Sequence, residues 1–410
     1  MSVQPARKVK VGVVGCGVVA TAYYLPCLMS MAEVELAAVC DMNPARTAAC
    51  VRLFGAREQY QDYYEMIRRA DIEAVLILTG PGTHAAFTLA AAESGRHVLL
   101  QKPMALTMAD THAIVDAVRK AGVKALIEPS ANSLLQPEHC ELRALLDKGV
   151  LGDPYWFTYI PSSMDHYHAS LGGNPYGLGA FFSADSGGML FDFPYAPTEI
   201  VTLLGPCKRV TAMAKISVPE RWIVPEAAYD RFLAGVTDPF QANYWDVVLD
   251  LPRTERVTMG APDNVFSLYE MDSGAIGVFH VGRPFHPVPK GFMGGLHVYG
   301  TAGNLFMGQG GFAAIISSRR ELLPHVDADG WYRMPARGDF SKAKWPQPVP
   351  GGFNYYHEST RHWIDCILRD RDPLLNVEWG RHINEMMCGA IESARTGRRY
   401  DMTTTPAGLR

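Results

Sequence analysis

The chain has 410 residues, 48% of them hydrophobic and 20% charged, with a formal net charge of −4. That length exceeds what one hydrophobic core usually fills, so two domains are predicted, and the mildly acidic balance excludes the electrostatic footprint of a nucleic-acid or anionic-membrane binder. No apolar run approaches the ~18 residues that span a bilayer, and MSVQPARKVK leads into a strand pattern rather than a signal-peptide core, which predicts a cytoplasmic protein with a small-molecule ligand.

From residue 8 to about 128 strand and helix patterns alternate. Apolar runs at Val9–Val14, Val34–Cys40, Ala74–Thr79, His97–Leu100 and Val123–Ile127 read as strands buried on both faces, with helices at Pro44–Phe54, Tyr63–Arg69 and Thr83–Ser94 between them. Thr107 with Asp110 forms a capping-box pattern, and Gly122 sits where a left-handed helix stop belongs. This half is predicted to be a doubly wound parallel α/β domain, residues 1–130.

After about residue 150 the character changes. Tyr155–Ile160, Val210–Ile216, Tyr244–Leu251, Val265–Glu270, Ala275–Val281, Leu296–Tyr299 and Ala313–Ser317 read as strands joined by Gly, Pro and Asp turns, and two helices at 354–370 and 377–395 close the pattern before Gly397. Residues 131–410 are therefore predicted to form an α+β domain with a large, mainly antiparallel open sheet. An uncovered sheet face would need burial, which predicts a homodimer or homotetramer. The eight cysteines are scattered without a C-x-x-C pair, which fits reduced thiols, and no metal site is predicted.

The segment VGVVGCGVVATAYY places Gly15-x-Gly17-x-x-Ala20 between a strand and a helix, so that backbone N–H groups at Gly15, Gly17, Val18 and Val19 can cradle a pyrophosphate. Asp41 ends the next strand, 24 residues beyond Gly17, where a carboxylate can accept from adenosine ribose hydroxyls. NAD is the predicted cofactor, with NADP less favoured because Asp41 would repel a 2′-phosphate. Arg46 could in principle reach such a phosphate, although a solvated helix arginine is the simpler reading. Thr79, Gly80 and Pro81 end a later strand where the nicotinamide half would lie. His84 reads either as a cofactor contact or as a residue packing at its helix start, and His97 belongs to the turn into its strand.

In HVLLQKPMAL a buried strand ends abruptly in Gln101-Lys102-Pro103. A charge is costly to bury, so Lys102 is predicted to enter the crevice beside the cofactor, with Gln101 at its edge and Pro103 fixing its direction; a cis Lys102–Pro103 bond fits that role. There Lys102 would hydrogen-bond a substrate hydroxyl. Aromatic residues Trp156, Tyr159, Tyr167, Tyr176, Phe181 and Phe182 could stack on sugar faces, and His166, His168 and Asn174 could bond hydroxyls.

These stretches resemble the glucose-fructose oxidoreductase / inositol dehydrogenase (Gfo/Idh/MocA) family. The likeness extends through ESGRHVLLQKPMAL, LDKGVLGDPYW, SGGMLFDFPYAPTEIVTLLGPCKRV, LHVYGTAGNL and NVEWGRHINEMMCGAIESARTGRRYDM. The resemblance implies an N-terminal Rossmann domain, a second domain whose open sheet often forms a subunit interface, and NAD(P)-dependent oxidation or reduction of a sugar, glycoside or cyclitol. The family's Glu-Lys-Pro appears as Gln101-Lys102-Pro103, and its Gly-Gly-x-x-x-Asp segment as Gly187 to Asp192, which gives Asp192 the substrate-holding role. The family's next polar residue would fall at position 196, which is alanine; Tyr195, one residue earlier, is its counterpart, and His166 and His168 are the alternative bases. Lys102 is expected to lower the Tyr195 phenol and so make it a base. A non-catalytic nicotinamide-binding regulator that senses cofactor or sugar, and an NAD-dependent glycosidase working through transient oxidation, are the rival functions.

Overall fold

The computed structural model describes residues 7–160, 183–248, 250–282, 295–308, 313–334 and 355–406. Its first layer is a six-stranded parallel sheet in the order β3-β2-β1-β4-β5-β6, made of β1 (Val9–Val14), β2 (Val34–Cys40), β3 (Glu58–Tyr60), β4 (Ala74–Ile77), β5 (His97–Leu100) and β6 (Ala125–Ile127). Between the strands run α1 (Leu25–Met29, entered through a π-helical turn at Ala20–Tyr24), α2 (Pro44–Phe54), α3 (Tyr63–Arg69), α4 (His84–Glu93) and α5 (Met108–Ala121). The widened π turn lies just before Pro26, which cannot donate to the carbonyl four residues back. β4, Ala74–Ile77, is buried at all four residues, as a strand covered by helices on both faces must be. The predicted punctuation is present: the Thr107 side chain accepts from Asp110 N–H, and Gly122 stops α5 at φ 65°. Strand order reverses between β1 and β4, which opens the ligand crevice at their carboxyl ends.

β3 was not foreseen. Its residues Glu58, Gln59 and Tyr60 are polar or exposed and pair with β2 alone, so no apolar run marks the strand.

The second layer begins with α6 (Pro137–Asp147), β7 (Pro154–Ile160), α7 (Met189–Asp192), α8 (Tyr195–Leu204) and β8 (Cys207–Lys215). An excursion follows, comprising β9 (Glu220–Ile223), α9 (Glu226–Gly235), α10 (Trp245–Val248) and β10 (Glu255–Thr258), in which β9 and β10 pair only with each other. The chain then returns through β11 (Asn264–Met271), β12 (Ile276–Gly282), β13 (Gly295–Gly300), β14 (Gly303–Met307), β15 (Ala313–Ser317) and β16 (Trp331–Met334). It ends in α11 (Tyr355–Leu368), α12 (Val377–Thr396) and β17 (Tyr400–Asp401). Among the described residues these strands form a nine-stranded sheet, β16-β15-β14-β13-β7-β12-β11-β8-β17, antiparallel except for the β7–β12 pair.

Tyr244–Leu251, predicted as a strand, is instead a turn leading into α10. Tyr244 is buried, its ring 5.3 Å from both Tyr229 and Phe232 of α9, so its apolar pattern serves a helix contact. Helices α6, α8 and α9 were likewise not anticipated.

The last helices join the two layers. Tyr356 of α11 stacks on Tyr23 at 4.2 Å, and Ile127 N–H donates to the Leu375 carbonyl at 2.8 Å. In α12, Asn384 Nδ2 donates to Thr111 of α5 at 2.7 Å, and Ser393 Oγ accepts from Ala212 N–H of β8. α12 starts at Asn376, whose side chain accepts from the N–H groups of Glu378 and Trp379. Removing that cap with Asn376→Ala is expected to cost about 1 kcal/mol and lower the urea midpoint of unfolding; an unchanged midpoint would show that packing alone holds the helix start.

Candidate active site

The glycine loop has the geometry a dinucleotide requires. Gly15 adopts φ 93°, and a Cβ there would lie 2.8 Å from the Leu78 carbonyl, so only glycine lets the end of β1 rest on the end of β4. A Cβ at Gly17 would meet open space, which leaves the backbone approachable from the crevice. The first helical bond runs from Thr21 N–H to Gly17 carbonyl, so the amides of residues 18–20 form the N-terminal donors of the helix. Asp41 accepts from Cys16 N–H and Asn43 N–H, each at 2.8 Å, which fixes the carboxylate beside the loop. A carboxylate offers about four acceptor positions, so capacity remains for two ribose hydroxyls.

Next along the crevice, Thr79 and Thr83 hydroxyls lie 2.6 Å apart and Thr83 Oγ1 donates to the Gly80 carbonyl, which tightens the loop after β4. His84 is fully buried, its ring nitrogens 2.7 and 3.0 Å from the carbonyls of Pro103 and Thr79. It therefore ties this loop to the Lys102–Pro103 loop and presents no nitrogen to the crevice. His97 accepts from Lys124 N–H within the sheet turn, as read from the sequence.

Lys102, at the end of β5, follows a buried Gln101 and precedes a cis bond to Pro103. Its ammonium donates to Asp192 Oδ1 at 2.6 Å and to the Asp192 carbonyl at 3.0 Å, with both side chains about 15% exposed or less. Asp192 is delivered by the one-turn α7, whose entry needs the consecutive glycines: Gly188 has φ 76°, and a Cβ on it would strike the Pro262 carbonyl at 2.6 Å. Tyr195 opens α8 with its ring 5.7 Å from the Lys102 ammonium. Lys102 is thus brought to Asp192 and Tyr195 across 90 or more positions of the chain.

The expected activation of Tyr195 is not met. Burial, then the charges of Asp192 and Glu128, push its phenol well above the ordinary tyrosine range, while the Lys102 ammonium is paired with Asp192. The phenol of Tyr195 is therefore held in its protonated form in this arrangement.

Residues 9–128 match the family model GFO_IDH_MocA, described as an oxidoreductase family with an NAD-binding Rossmann fold. This N-terminal domain belongs to the Gfo/Idh/MocA oxidoreductases. Among curated relatives the chain is 31% identical over 173 residues to dTDP-3,4-didehydro-2,6-dideoxy-alpha-D-glucose 3-reductase of Saccharopolyspora spinosa, covering 41% of this chain and 51% of that one. It is 28% identical over 162 residues to inositol 2-dehydrogenase of Salmonella typhimurium, covering 39% and 46%. The chain thus spans about half the length of the curated relatives it matches. Levoglucosan dehydrogenase in complex with NADH superposes with a TM-score of 0.74 at 20% identity, over 97% of this chain and 100% of that one. An oxidoreductase from Agrobacterium radiobacter, solved with NAD+, L-tartaric acid and magnesium, gives 0.71 at 18% identity over 96% and 98%. At these identities the structural likeness is one of fold.

Within this Gfo/Idh/MocA domain, Gln101 stands where the resemblance has glutamate, and the structure supplies a carboxylate elsewhere. Gln101 Oε1 accepts from Lys102 N–H, Gln101 Nε2 donates to Tyr24 hydroxyl at 2.9 Å, and Tyr24 donates to Glu128 at 3.0 Å. Glu128 also accepts from Ser359 Oγ and Ser130 N–H. Burial raises its carboxyl above the usual range even though those bonds oppose the shift. Tyr23, Tyr355 and Tyr356 pack around this network, with Tyr355 and Tyr356 hydrogen-bonded to Tyr195. Sequence reading missed Glu128 and these tyrosines; a glutamate ending an apolar strand in LIEP was the available signal.

Other expectations are corrected or lie elsewhere. Trp156 is on the outer face of the nine-stranded sheet, stacked on Tyr299 at 4.3 Å, and Tyr159 is buried against Phe279 with its hydroxyl on Glu199, so neither lines the site. His166, Tyr167, His168, Asn174, Tyr176, Phe181 and Phe182 lie outside the described residues. Arg46 is not solvated: its side chain is 13% exposed and bonded to carboxylates of α9. α9 also places the buried Tyr229, whose hydroxyl donates to the Cys16 carbonyl at 3.1 Å and lies 3.0 Å from Thr21 Oγ1, directly behind the glycine loop.

Because Glu128 has a raised carboxyl in the folded state, that state binds its proton more tightly than the unfolded chain does. The wild type should therefore lose stability relative to Glu128→Gln as pH rises above the ordinary carboxylate range of about 4, measured as the difference between denaturant midpoints. A difference independent of pH would show that this carboxyl titrates alike in both states.

Proposed function

We propose that this protein is an NAD-dependent oxidoreductase that moves a hydride between nicotinamide and a secondary hydroxyl of a sugar, glycoside or cyclitol. What carries the reading is the Lys102–Asp192 pair, held at the crevice beside a dinucleotide-type glycine loop. The names of the curated relatives, a deoxyhexose 3-reductase and inositol 2-dehydrogenases, support the substrate class.

In this reading Gly15, Gly17, Val18, Val19 and Asp41 hold the adenosine and phosphates, and Thr79, Gly80 and Pro81 border the nicotinamide. When bound, that ring would accept or return the hydride. The chain manages the proton. Asp192 accepts the proton of the reacting hydroxyl during oxidation, while the Lys102 ammonium, already 2.6 Å from that carboxylate, stabilises the developing alkoxide. Tyr195, kept protonated by its surroundings, donates a hydrogen bond to a substrate oxygen and defines the pose. Gln101 and His84 act through the backbone of Lys102 and Pro103 and so fix the direction of the ammonium.

Replacing Lys102 with alanine is expected to leave NADH binding within about threefold of wild type yet lower turnover by about 10³-fold, since binding contacts persist while stabilisation of the developing alkoxide is lost. The assay follows nicotinamide absorbance with a panel of sugars, glycosides and inositols, together with product release. Net reduction supports the dehydrogenase reading. Sugar release without net reduction, or no reaction with any member of the panel, overturns it.

The second assembly element of the proposal is a homodimer or homotetramer. Trp156, Met213, Phe266, Leu268 and Ile276 are 45–78% exposed on one face of the nine-stranded sheet, an apolar area larger than scattered surface residues would give. Among the described residues no helix is long and apolar enough to cross a membrane, which suits the cytoplasmic setting we propose. Light scattering should return a multiple of 45.1 kDa, and Phe266→Glu should lower the mass; a wild-type monomer would remove the interface.

A further inference from the structure

The excursion between β8 and β11 does more than decorate the second domain. Its helix α9 lies alongside α2 of the nucleotide-binding sheet, and the two helices run in the same direction. Near their starts, Arg46 Nε meets Asp230 Oδ1 at 2.6 Å and Arg46 Nη2 meets Glu226 Oε1 at 2.8 Å. Near their ends, Arg52 donates to the carbonyls of Val236 and Leu233 at 2.6 and 3.2 Å. Both arginines of α2 are therefore held by α9, and the double attachment fixes the register.

The attachment reaches the turn that selects the cofactor. Asn43 caps α2, its N–H donates to Asp41, and its side-chain amide donates to Asp230 Oδ2 at 3.3 Å. The Arg46 guanidinium lies 5.1 Å from the Tyr229 ring centroid, on the helix residue next to Asp230, and Tyr229 in turn holds the glycine loop. An arginine close to the ribose-binding carboxylate is the group that would accept a 2′-phosphate, because its fork matches phosphate oxygens in a bidentate fashion. Here Nε and Nη2 of that fork are each bonded to a carboxylate, and the side chain is 13% exposed.

We propose that Asp230 and Glu226 are specificity determinants for the cofactor: by binding Arg46 they withhold from NADP the cation beside Asp41, and they add two negative charges where its 2′-phosphate would lie. This rests on the dinucleotide reading given above. Selectivity is then a property of two domains. Asp41 repels the phosphate directly, and α9, a segment of the other domain, removes the compensating arginine. The consequence is that altering Asp41 alone should not recruit NADP.

Direct binding to the purified full-length protein, read by the fluorescence of NADH and NADPH without substrate, tests the proposal. Asp41→Ser alone is expected to improve NADPH affinity by less than about threefold. Adding Glu226→Gln and Asp230→Asn should improve it by a further tenfold or more, about the scale of one released charge-assisted contact, and Arg46→Ala in that background should abolish the gain. The milder Asp41→Ser, Asp230→Asn double variant should show an intermediate gain and guards against loss of folding, which thermal melting monitors. The proposal is overturned if Asp41→Ser alone matches the triple variant, or if the gain survives Arg46→Ala. Wild-type protein that binds neither NADH nor NADPH would instead sink the dinucleotide reading itself, whereas wild-type NADH binding with no shift in the triple variant sinks this inference alone.

Discussion

The Lys102 ammonium and the Asp192 carboxylate form the contact on which the site depends. One partner ends the fifth parallel strand, the other sits on a single helical turn of the second layer, and little water reaches either. Removing one partner of such a pair strands the remaining charge, a cost of several kcal/mol when burial is complete and less here because each side chain keeps some exposure. The pair consequently fixes where the second layer meets the first. It also explains why the lysine charge is not available to acidify Tyr195. Burial of the phenol, together with the nearby carboxylates, instead favours its protonated form.

A second polar chain backs this pair. From the Lys102 amide it runs through Gln101 and Tyr24 to Glu128 and on to Ser359 of α11, so every buried polar group in it has a partner. Buried networks of this kind are costly when incomplete and specify a single arrangement when satisfied. The neutral Gln101 can donate to Tyr24 where a carboxylate could not, and the negative charge resides one strand away on Glu128. α11 thereby contributes to a site built otherwise at the strand ends, and it links the closing helices to the orientation of the lysine.

At the opposite end of the crevice α9 plays the corresponding part. Tyr229 supports the backbone of the glycine loop, and Asp230 and Glu226 take up Arg46. Both halves of the crevice therefore have a wall that comes from the second domain, at the Lys102 end through α7 and at the Asp41 end through α9. Domain packing, rather than the parallel sheet alone, determines the electrostatics that a bound dinucleotide would meet.

The local features were legible because they rest on local physics. β1, β2 and β5 occupy the residues that their apolar runs predict, Pro44–Phe54 and Tyr63–Arg69 are helices as read, and Gly15, Asp41 and Lys102 take the positions at the strand ends that motif spacing requires. The short polar strand β3 and the helices of the excursion carried no comparable period, and the pattern at Tyr244–Leu251 answered to a helix contact instead of a strand. What the chain order alone determined was which groups stand at the carboxyl edge of the parallel sheet, since a strand's end is set by its own run of residues. Which charges those groups face was decided by tertiary structure, because Asp192, Glu128 and Asp230 reach Lys102, Tyr24 and Arg46 across 90, 104 and 184 positions. Burial and charge pairing act through space, and no local pattern encodes them.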